Sequence, residues 1–211
     1  MKPGCSIGRT TACPRGSRPF LFAFSLIELL VVVAILVILM TLYWGPATGK
    51  RQKQSKALCR QNLEKLYISF QIYANEHAGK FPMVVGATNS AQALAPIVPK
   101  YSSDTSLFIC PGRKDLRVPA IETFATAKIA YAYYMGQSLA NPDQALLTDA
   151  QVDNLAKVAG QMAFSSDGNP PGNNHQDRGG NFLYADGHAA GSPAKLAIPL
   201  NLGQGITLLN P

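Results

Sequence analysis

The longest apolar stretch of the chain lies near its N-terminus and predicts a membrane-spanning helix. It runs from Phe24 to Trp44, 21 residues that contain a single charge, Glu28. A helix of that length spans a bilayer core of about 30 Å, and Glu28 lies only about 6 Å into it. An acidic residue inside such a segment is unfavourable and usually functional, although near the interface it could also reach water.

A second helical pattern fills residues 45–80, and we expect it to continue the first helix beyond a bend at Gly45-Pro46. Gly79 and Pro82 are stop signals at its end. Apolar residues recur at helical spacing and form one stripe that a domain must cover: Leu63, Leu66, Tyr67, Phe70, Tyr73, Ala74 and His77.

Short apolar runs separated by Gly, Pro, Asn and Asp fill residues 81–211 and predict a small β-rich domain. A short helix is predicted from Ala91 to Val98, a polar surface loop at 167–180 and a hairpin turn at Asp186-Gly187. The predicted fold class is α+β, a long N-terminal helix packed on a small antiparallel sheet. The predicted strands are 107–110, 129–135, 145–148, 161–165 and 181–185.

The formal net charge of +7 comes from the first part of the chain. Residues 1–80 contain 11 Lys and Arg against 3 Asp and Glu, whereas residues 81–211 contain 8 against 9. A basic cluster just after an apolar run typically attracts anionic lipid head groups. No nucleic-acid-binding signature accompanies it, so we expect membrane lipid rather than nucleic acid as the partner. The cluster comprises Lys50, Arg51, Lys53, Lys56 and Arg60.

The first residues of the apolar run resemble the mature N-terminus of type IV pilins and of type II secretion pseudopilins: Phe24-Ser25-Leu26-Ile27-Glu28. In that family a short basic leader precedes an aromatic residue, a small polar residue, Leu-Ile-Glu and a long apolar helix. Residues 1–23 correspond to the leader, and Ala23 stands where the family usually has Gly. The apolar residues 24–44 correspond to the helix that anchors a subunit and forms the filament core.

The resemblance implies a structural subunit of a pilus or secretion filament. A prepilin peptidase would cut between Ala23 and Phe24, and the new N-terminal amine would pair with Glu28 between neighbouring subunits. The implied partners are that peptidase, other subunits and the assembly machinery. The implied location is the inner membrane, crossed once, with the C-terminal domain periplasmic or extracellular. The basic residues flanking the run slightly favour the opposite orientation, and we follow the resemblance.

The C-terminal part resembles a bacterial pilin-like subgroup named for a His that precedes Asp-Gly by a fixed interval. Here His175 precedes Asp186-Gly187 with one residue more than in the subgroup, and Asn181 and His188 belong to the same segment. We expect a structural role, with Gly187 at positive φ in the turn. The alternatives are a zinc site on His175, His188 and an aspartate, or a calcium site as in related pseudopilins. The oxygens for calcium would come from Asp167, Asn169, Asn174, Asp177 and Asp186.

Cys59 and Cys110 are the cysteines that remain after the predicted leader, which contains Cys5 and Cys13. An even pair in an exported domain predicts a disulfide, and two unrelated buried thiols are the alternative. No zinc-binding spacing of Cys and His occurs in the sequence, and we expect no cofactor.

Sequence motifs of the common enzyme classes do not occur in the chain, including G-x-S-x-G, H-E-x-x-H and the phosphate and dinucleotide loops. We therefore expect no catalysis. The alternative to a filament subunit is a membrane-anchored extracytoplasmic protein that binds a ligand or mediates adhesion. Such a protein needs only an apolar anchor, whereas a filament subunit needs the placement of Glu28 and a processed leader.

Overall fold

The computed structural model describes residues 25–43 and 47–211, which divide into two units by their contacts. The first, within Met1–Gly45, is represented by one helix, and the second, Pro46–Pro211, holds a helix packed on an antiparallel sheet. Helices and strands are both present, so the predicted α+β class is confirmed. The predicted leader, the cleavage site at Ala23 and Phe24, and the bend at Gly45-Pro46 lie outside the described residues.

Helix α1, Leu26–Tyr43, is apolar on all sides. Its 18 residues give a length of about 27 Å, close to the hydrocarbon thickness of a bilayer. None of its side chains is buried, and Glu28 lies in its first turn. The helix is therefore long and apolar enough to cross a membrane, as the sequence predicts.

Helix α2, Ala47–Glu76, buries one stripe of side chains in the core of the second unit. The predicted stripe is confirmed in its central part, whereas His77 lies exposed in the turn after the helix. The ring of His77 stacks there on Tyr73, with 3.8 Å between the ring centroids. The completely buried side chains of α2 recur at helical spacing: Cys59, Leu63, Leu66, Phe70 and Ala74.

Five strands form one antiparallel sheet in the order β4-β3-β2-β1-β5. The strands are β1 (Tyr131–Met135), β2 (Ala145–Asp149), β3 (Gly180–Tyr184), β4 (Ala189–Ser192) and β5 (Thr207–Leu209). The predicted short helix is confirmed as α3 (Ser90–Leu94), which runs into a 3-10 turn at Ala95–Ile97. Further 3-10 helices lie at Thr105–Phe108, Ile121–Thr126 and Gln176–Arg178.

Both faces of the sheet are covered, because successive side chains of a strand point to opposite faces. Tyr131 and Tyr133 of β1 belong to the main core, which includes the buried stripe of α2. Ala132 and Tyr134, from the same strand, belong to a smaller core with Phe164. The main core therefore lies between α2 and the sheet.

Three of the predicted strands and the hairpin turn are confirmed. Residues 129–135, 145–148 and 181–185 overlap β1, β2 and β3, and Asp186-Gly187 forms the turn between β3 and β4. Gly187 has a φ of 95°, as predicted for this turn. Its N–H donates to the carbonyl oxygen of Tyr184 at 3.0 Å.

The strand predicted at 107–110 is wrong, because residues Thr105–Phe108 form a 3-10 helix. The side chain of Asp104 accepts a hydrogen bond from the N–H of Ser106 at 3.0 Å and caps that helix. Asp is a favoured cap because its carboxylate satisfies an N–H that the first helical turn leaves free. The capping signal therefore outweighs the short apolar run that follows it.

The strand predicted at 161–165 is also wrong. The N–H groups of Ala163 and Phe164 both donate to the carbonyl oxygen of Ala194, at 3.0 and 3.3 Å. An antiparallel ladder requires successive bonds to different residues of the partner. The apolar run is instead an irregular segment that contributes Phe164 to the smaller core.

Candidate functional site

Four side chains of the kind that bind metals converge inside the second unit. They are Cys59 on α2, Cys110 after the Thr105–Phe108 helix, Asp149 at the end of β2 and His175 before β3. All four are completely buried, and one ligand atom from each lies within 4.8 Å of those from the others. We call these four residues the buried cluster.

The regular elements place two members of the buried cluster. Cys59 lies one helical turn before Leu63 and so continues the buried stripe of α2. Asp149 follows Leu147 at the strand period, which puts its carboxylate on the face of the sheet that covers the main core. As a result, Sγ of Cys59 and Oδ1 of Asp149 are 3.0 Å apart.

A tight turn at Cys110-Pro111-Gly112 places the third member. The N–H of Gly112 donates to Sγ of Cys110 at 3.3 Å. The backbone at Asn174 approaches Gly112 so closely that a Cβ there would overlap the Asn174 carbonyl group, so only glycine fits. This approach brings His175 to Cys110, with Nε2 at 3.4 Å from Sγ.

Two asparagines and His175 hold the buried carboxylate of Asp149. Nδ2 of Asn174 donates to Oδ1 at 2.7 Å. Asn181 donates to Oδ2 from its backbone N–H at 2.6 Å and from Nδ2 at 3.0 Å. Nε2 of His175 lies 3.2 Å from the same oxygen. The carboxylate is therefore well supplied with donors although it is completely buried.

The electrostatics of the buried cluster favour an ion pair. Burial alone lowers the pKa of His175, but the charge of Asp149 together with the hydrogen bonds to Asp149 and Cys110 raises the pKa to about 10. Burial alone raises the pKa of the Asp149 carboxyl, but the charge and hydrogen bond of His175 lower it below its ordinary value. These opposite shifts favour a carboxylate beside an imidazolium, in keeping with the rule that buried charges are paired.

The two thiols differ in their readiness to ionise. Burial raises the pKa of the Cys59 thiol well above its ordinary value. Burial acts on Cys110 in the same direction, but hydrogen bonds with Cys59 and His175 lower its pKa to about 7. A thiolate is the form that binds metals and attacks substrates. Because Cys110 is completely buried, the geometry suits ligation better than attack on a substrate.

Cys59 and Cys110 are free thiols in the structure. They lie in one cluster, as their predicted pairing requires, and each sulfur also contacts a further partner. Sγ of Cys59 lies beside Asp149, and Sγ of Cys110 lies beside His175. The disulfide therefore stays a prediction, and it competes with the arrangement that the structure shows.

The predicted polar loop at 167–180 is only partly a surface loop. Asp167 and Asp177 are exposed, whereas Asn174 and His175 are buried in the main body of the unit. The side-chain amide of Asn174 is hydrogen-bonded although it is buried, because its Nδ2 also donates to the carbonyl oxygen of Ala130 at 2.8 Å. This segment has no apolar side chains beyond its prolines, and its burial is explained by the contacts of Asn174 and His175 with Asp149. Asp149 is not among the residues singled out from the sequence.

The two histidines of the C-terminal motif do not share a site. His188 is exposed, stacks on Tyr184 with 4.1 Å between the ring centroids, and contacts Oδ1 of Asp186 at 2.7 Å through Nδ1. His175 instead belongs to the buried cluster. Of the predicted motif, His175 is a member of the buried cluster and Asn181 donates to its Asp149. Asp186, Gly187 and His188 form the hairpin turn.

The three aspartates proposed for calcium do not form a cluster of metal-ligand atoms in the part of the chain that the structure describes. Oδ1 of Asp167 accepts from the hydroxyl of Ser165 at 2.5 Å and from the N–H of Asn169 at 2.9 Å. Asp186 serves the hairpin instead. Within residues 25–43 and 47–211, only the buried cluster brings three or more His, Cys, Asp or Glu ligand atoms this close together.

Lys56 of the predicted basic cluster is bound within the second unit, and an interaction of the cluster with lipid stays a prediction. Its Nζ donates to the carbonyl oxygens of Arg178 at 2.5 Å and Ser192 at 2.8 Å, and the side chain is half-buried. Lys56 thus clamps α2 to the segments around β3 and β4. Lys50 and Lys53 remain exposed, as the prediction requires.

Asp149 and the convergence of the cluster are what the sequence analysis missed. Two local signals point to them. Cys59 extends the apolar stripe by one turn, and Asp149 follows a buried leucine at the strand period. A carboxylate on the inward face of a strand requires a buried partner. That reasoning would have selected Asp149 but not the identity of its partner.

Comparisons with protein families, with curated proteins and with solved structures find no match to this chain.

Proposed function

We propose that this chain is a structural subunit of a type IV pilus or a type II secretion filament and that it assembles through α1. The observation that carries the proposal is the helix itself. Its side chains are exposed along the whole length, and its single charge, Glu28, lies in the first turn. The resemblance of the first residues to mature pilins supports the same conclusion.

The apolar surface of α1 requires a covering that the described residues do not supply. Burial of apolar surface contributes about 25 cal/mol of favourable free energy for each Å² removed from water. Leu26, Leu36 and Leu42 expose 82%, 51% and 75% of their surface, and they lie at different points around the helix. Such a helix fits lipid before assembly and neighbouring apolar helices after it.

Glu28 gives the assembly a direction and a register. A lone carboxylate in a dry, apolar bundle is strongly unfavourable, whereas an opposite charge offsets that cost. By the resemblance, cleavage before Phe24 supplies the opposite charge as a new N-terminal amine. Equivalent subunits that repeat this unsymmetrical contact extend into an open helical filament.

The second unit supports the proposal because it has its own core. Leu63, Leu66 and Phe70 fill the space between α2 and the sheet, and all three are completely buried. The unit does not need α1 for that core, so α1 remains available for neighbours. The arrangement suits a subunit with an inner helix and an outer domain.

The partners in this proposal are a prepilin peptidase, other pilin or pseudopilin subunits, the assembly machinery and membrane lipid. The chain crosses the inner membrane once before assembly, with its domain on the periplasmic or extracellular side. It catalyses no reaction. A membrane-anchored binding or adhesion protein would share the anchor and the domain, but it would have no use for Glu28.

Substitution of Glu28 tests the proposal. We expect Glu28→Gln to reduce incorporation into filaments by tenfold or more, since a buried charge left without its partner costs about 3–5 kcal/mol. The measurement is the amount of subunit in sheared filaments relative to the amount in membranes. Glu64→Gln is the matched control, because Glu64 is exposed on α2 and pairs only with Arg60 at 3.6 Å.

The control variant is expected to assemble at the wild-type level. If Glu28→Gln also assembles at that level while the protein is present in membranes, the charge-pairing role is wrong. Membrane insertion without any filament, in wild type and both variants, would favour the anchored binding protein.

A further inference from the structure

The buried cluster combines four side chains that commonly bind metals. Its two sulfurs, one carboxylate and one imidazole come from four segments that are distant in sequence, and all are completely buried. Soft sulfur and imidazole ligands suit zinc, whereas calcium prefers oxygen ligands only. We propose that Cys59, Cys110, Asp149 and His175 bind one Zn²⁺ ion in a closed site that fastens α2 to the sheet.

Three distances between ligand atoms are close to those of a tetrahedral zinc site. In a zinc site with bonds of about 2.0–2.3 Å, neighbouring ligand atoms lie roughly 3.3–3.8 Å apart. Sγ of Cys110 lies 3.4 Å from Nε2 of His175. Nε2 of His175 lies 3.2 Å from Asp149, and Sγ of Cys59 lies 3.0 Å from the same carboxylate. The remaining pairs of ligand atoms lie within 4.8 Å of one another, so adjustments of the side chains bring all four atoms to bonding distance of one ion.

Groups around the cluster orient the ligands as outer-shell partners do in zinc proteins. The N–H of Gly112 points at Sγ of Cys110, and the hydroxyl of Tyr131 lies 3.3 Å from Sγ of Cys59. Both groups can donate to a thiolate, which favours the charged form. Asn174 and Asn181 hold the carboxylate of Asp149.

The positive side chain of Lys56 offsets the net negative charge of the zinc-bound ligands. Two thiolates, a carboxylate and a neutral imidazole around Zn²⁺ carry one net negative charge. Lys56 lies about one turn before Cys59 on α2, where burial lowers its pKa and the charges of Asp149 and Cys59 oppose that shift. Its ammonium is fixed by two carbonyl oxygens of the neighbouring chain segments. Zinc binding displaces three protons to solvent, one from each thiol and one from the imidazolium of His175.

The site is structural rather than catalytic. Four protein ligands complete the tetrahedron and leave no open position for water or substrate. The ion would join α2 to the turn at Cys110, to the end of β2 and to the loop at His175. A disulfide between Cys59 and Cys110 is the competing state, but it would engage only two of the four side chains and leave His175 paired with Asp149 alone.

Metal content measures the proposal directly, and the readout does not depend on filament assembly. We expect the full chain, extracted from membranes in detergent without chelator, to contain one zinc per chain by elemental analysis. Cys59→Ser, Asp149→Asn and His175→Gln should lower the zinc content to background. Asp186→Asn and His188→Gln are matched controls from the hairpin turn and should retain the ion.

Cobalt binding to the wild-type chain keeps the proposal testable where a ligand variant fails to fold. The reduced, metal-free chain is titrated with Co²⁺, and then with Zn²⁺. We expect the sulfur-to-cobalt charge-transfer bands and the visible bands of a tetrahedral site, saturating at one equivalent and disappearing as zinc displaces cobalt.

Two results would overturn the zinc site. One is the lack of both zinc in the purified chain and cobalt bands in the reduced chain. The other is a Cys59–Cys110 disulfide, found by non-reducing peptide mapping, in metal-free protein isolated from membranes.

Discussion

The two long helices of this chain use their apolar residues in opposite ways. Helix α1 buries none of its side chains within the described residues. Helix α2 is more polar, yet it places Cys59, Leu63, Leu66 and Phe70 completely inside the core. The more apolar helix is thus the exposed one.

This difference assigns the two helices to different tasks. The buried stripe of α2 stabilises the fold of one chain, because its neighbours are the sheet and the loops of the same unit. The side chains of α1 are exposed within the described residues, and in the proposed function lipid or other chains cover them. Substitutions in α2 should therefore change folding, whereas substitutions in α1 should change membrane insertion and assembly.

A pair of leucine-to-alanine substitutions should show the largest effect of this division. Leu66 is completely buried on α2, and Leu36 is half exposed on α1. We expect Leu66→Ala to lower the free energy of unfolding of the domain by about 2–5 kcal/mol, through lost burial and the cavity left behind. The measurement is urea unfolding of the full chain in detergent, in which the near-ultraviolet circular dichroism of the buried tyrosines reports the transition.

Leu36→Ala is the control and should leave that unfolding transition where it is in wild type. Equal destabilisation by the two substitutions would mean that α1 contributes to the core of the domain, and the division of tasks would be wrong.

The hairpin turn offers a smaller test, at the place where α2 meets the C-terminal motif. Gly187 has a positive φ, and a Cβ there would overlap the ring of Tyr67 on α2. That ring is held by its hydroxyl, which donates to the carbonyl oxygen of Ala185 at 3.0 Å. We expect Gly187→Ala to lower the free energy of unfolding by more than about 1 kcal/mol.

Gly205→Ala separates backbone strain from the clash with Tyr67. Gly205 also has a positive φ, of 79°, but a Cβ there would meet open space. Gly205→Ala should therefore lower the free energy of unfolding by less than Gly187→Ala does in the same measurement. Equal costs for the two variants would show that the contact between Tyr67 and the turn adds nothing to stability.

Local periodicity explains what the sequence predicted well. The stripe of α2, the apolar run of α1 and strands β1 to β3 each follow from residues close together in the chain. The turn at Asp186-Gly187 follows from the backbone freedom of glycine. Strands β4 and β5 gave no such signal, because Ala189–Ser192 is made of small residues and Thr207–Leu209 is very short.

The buried cluster could not be predicted in the same way. Its members are separated by long stretches of chain, and their meeting depends on the sheet order and on the close approach of Gly112 to Asn174. Zinc motifs are recognised from short Cys and His spacings, and this chain has none. The sequence identified Cys59, Cys110 and His175 separately, but only the fold brings them to Asp149.

Processing of the N-terminus tests the central claim, that this chain is a filament subunit, most directly. The measurement is the intact mass of the protein from its native membranes, together with mass spectrometry of its N-terminal peptide. We predict a mature chain that begins at Phe24, with Glu28 near its new N-terminus. A mature chain that begins at Met1, or near Thr48 after removal of the whole apolar run, would contradict the account.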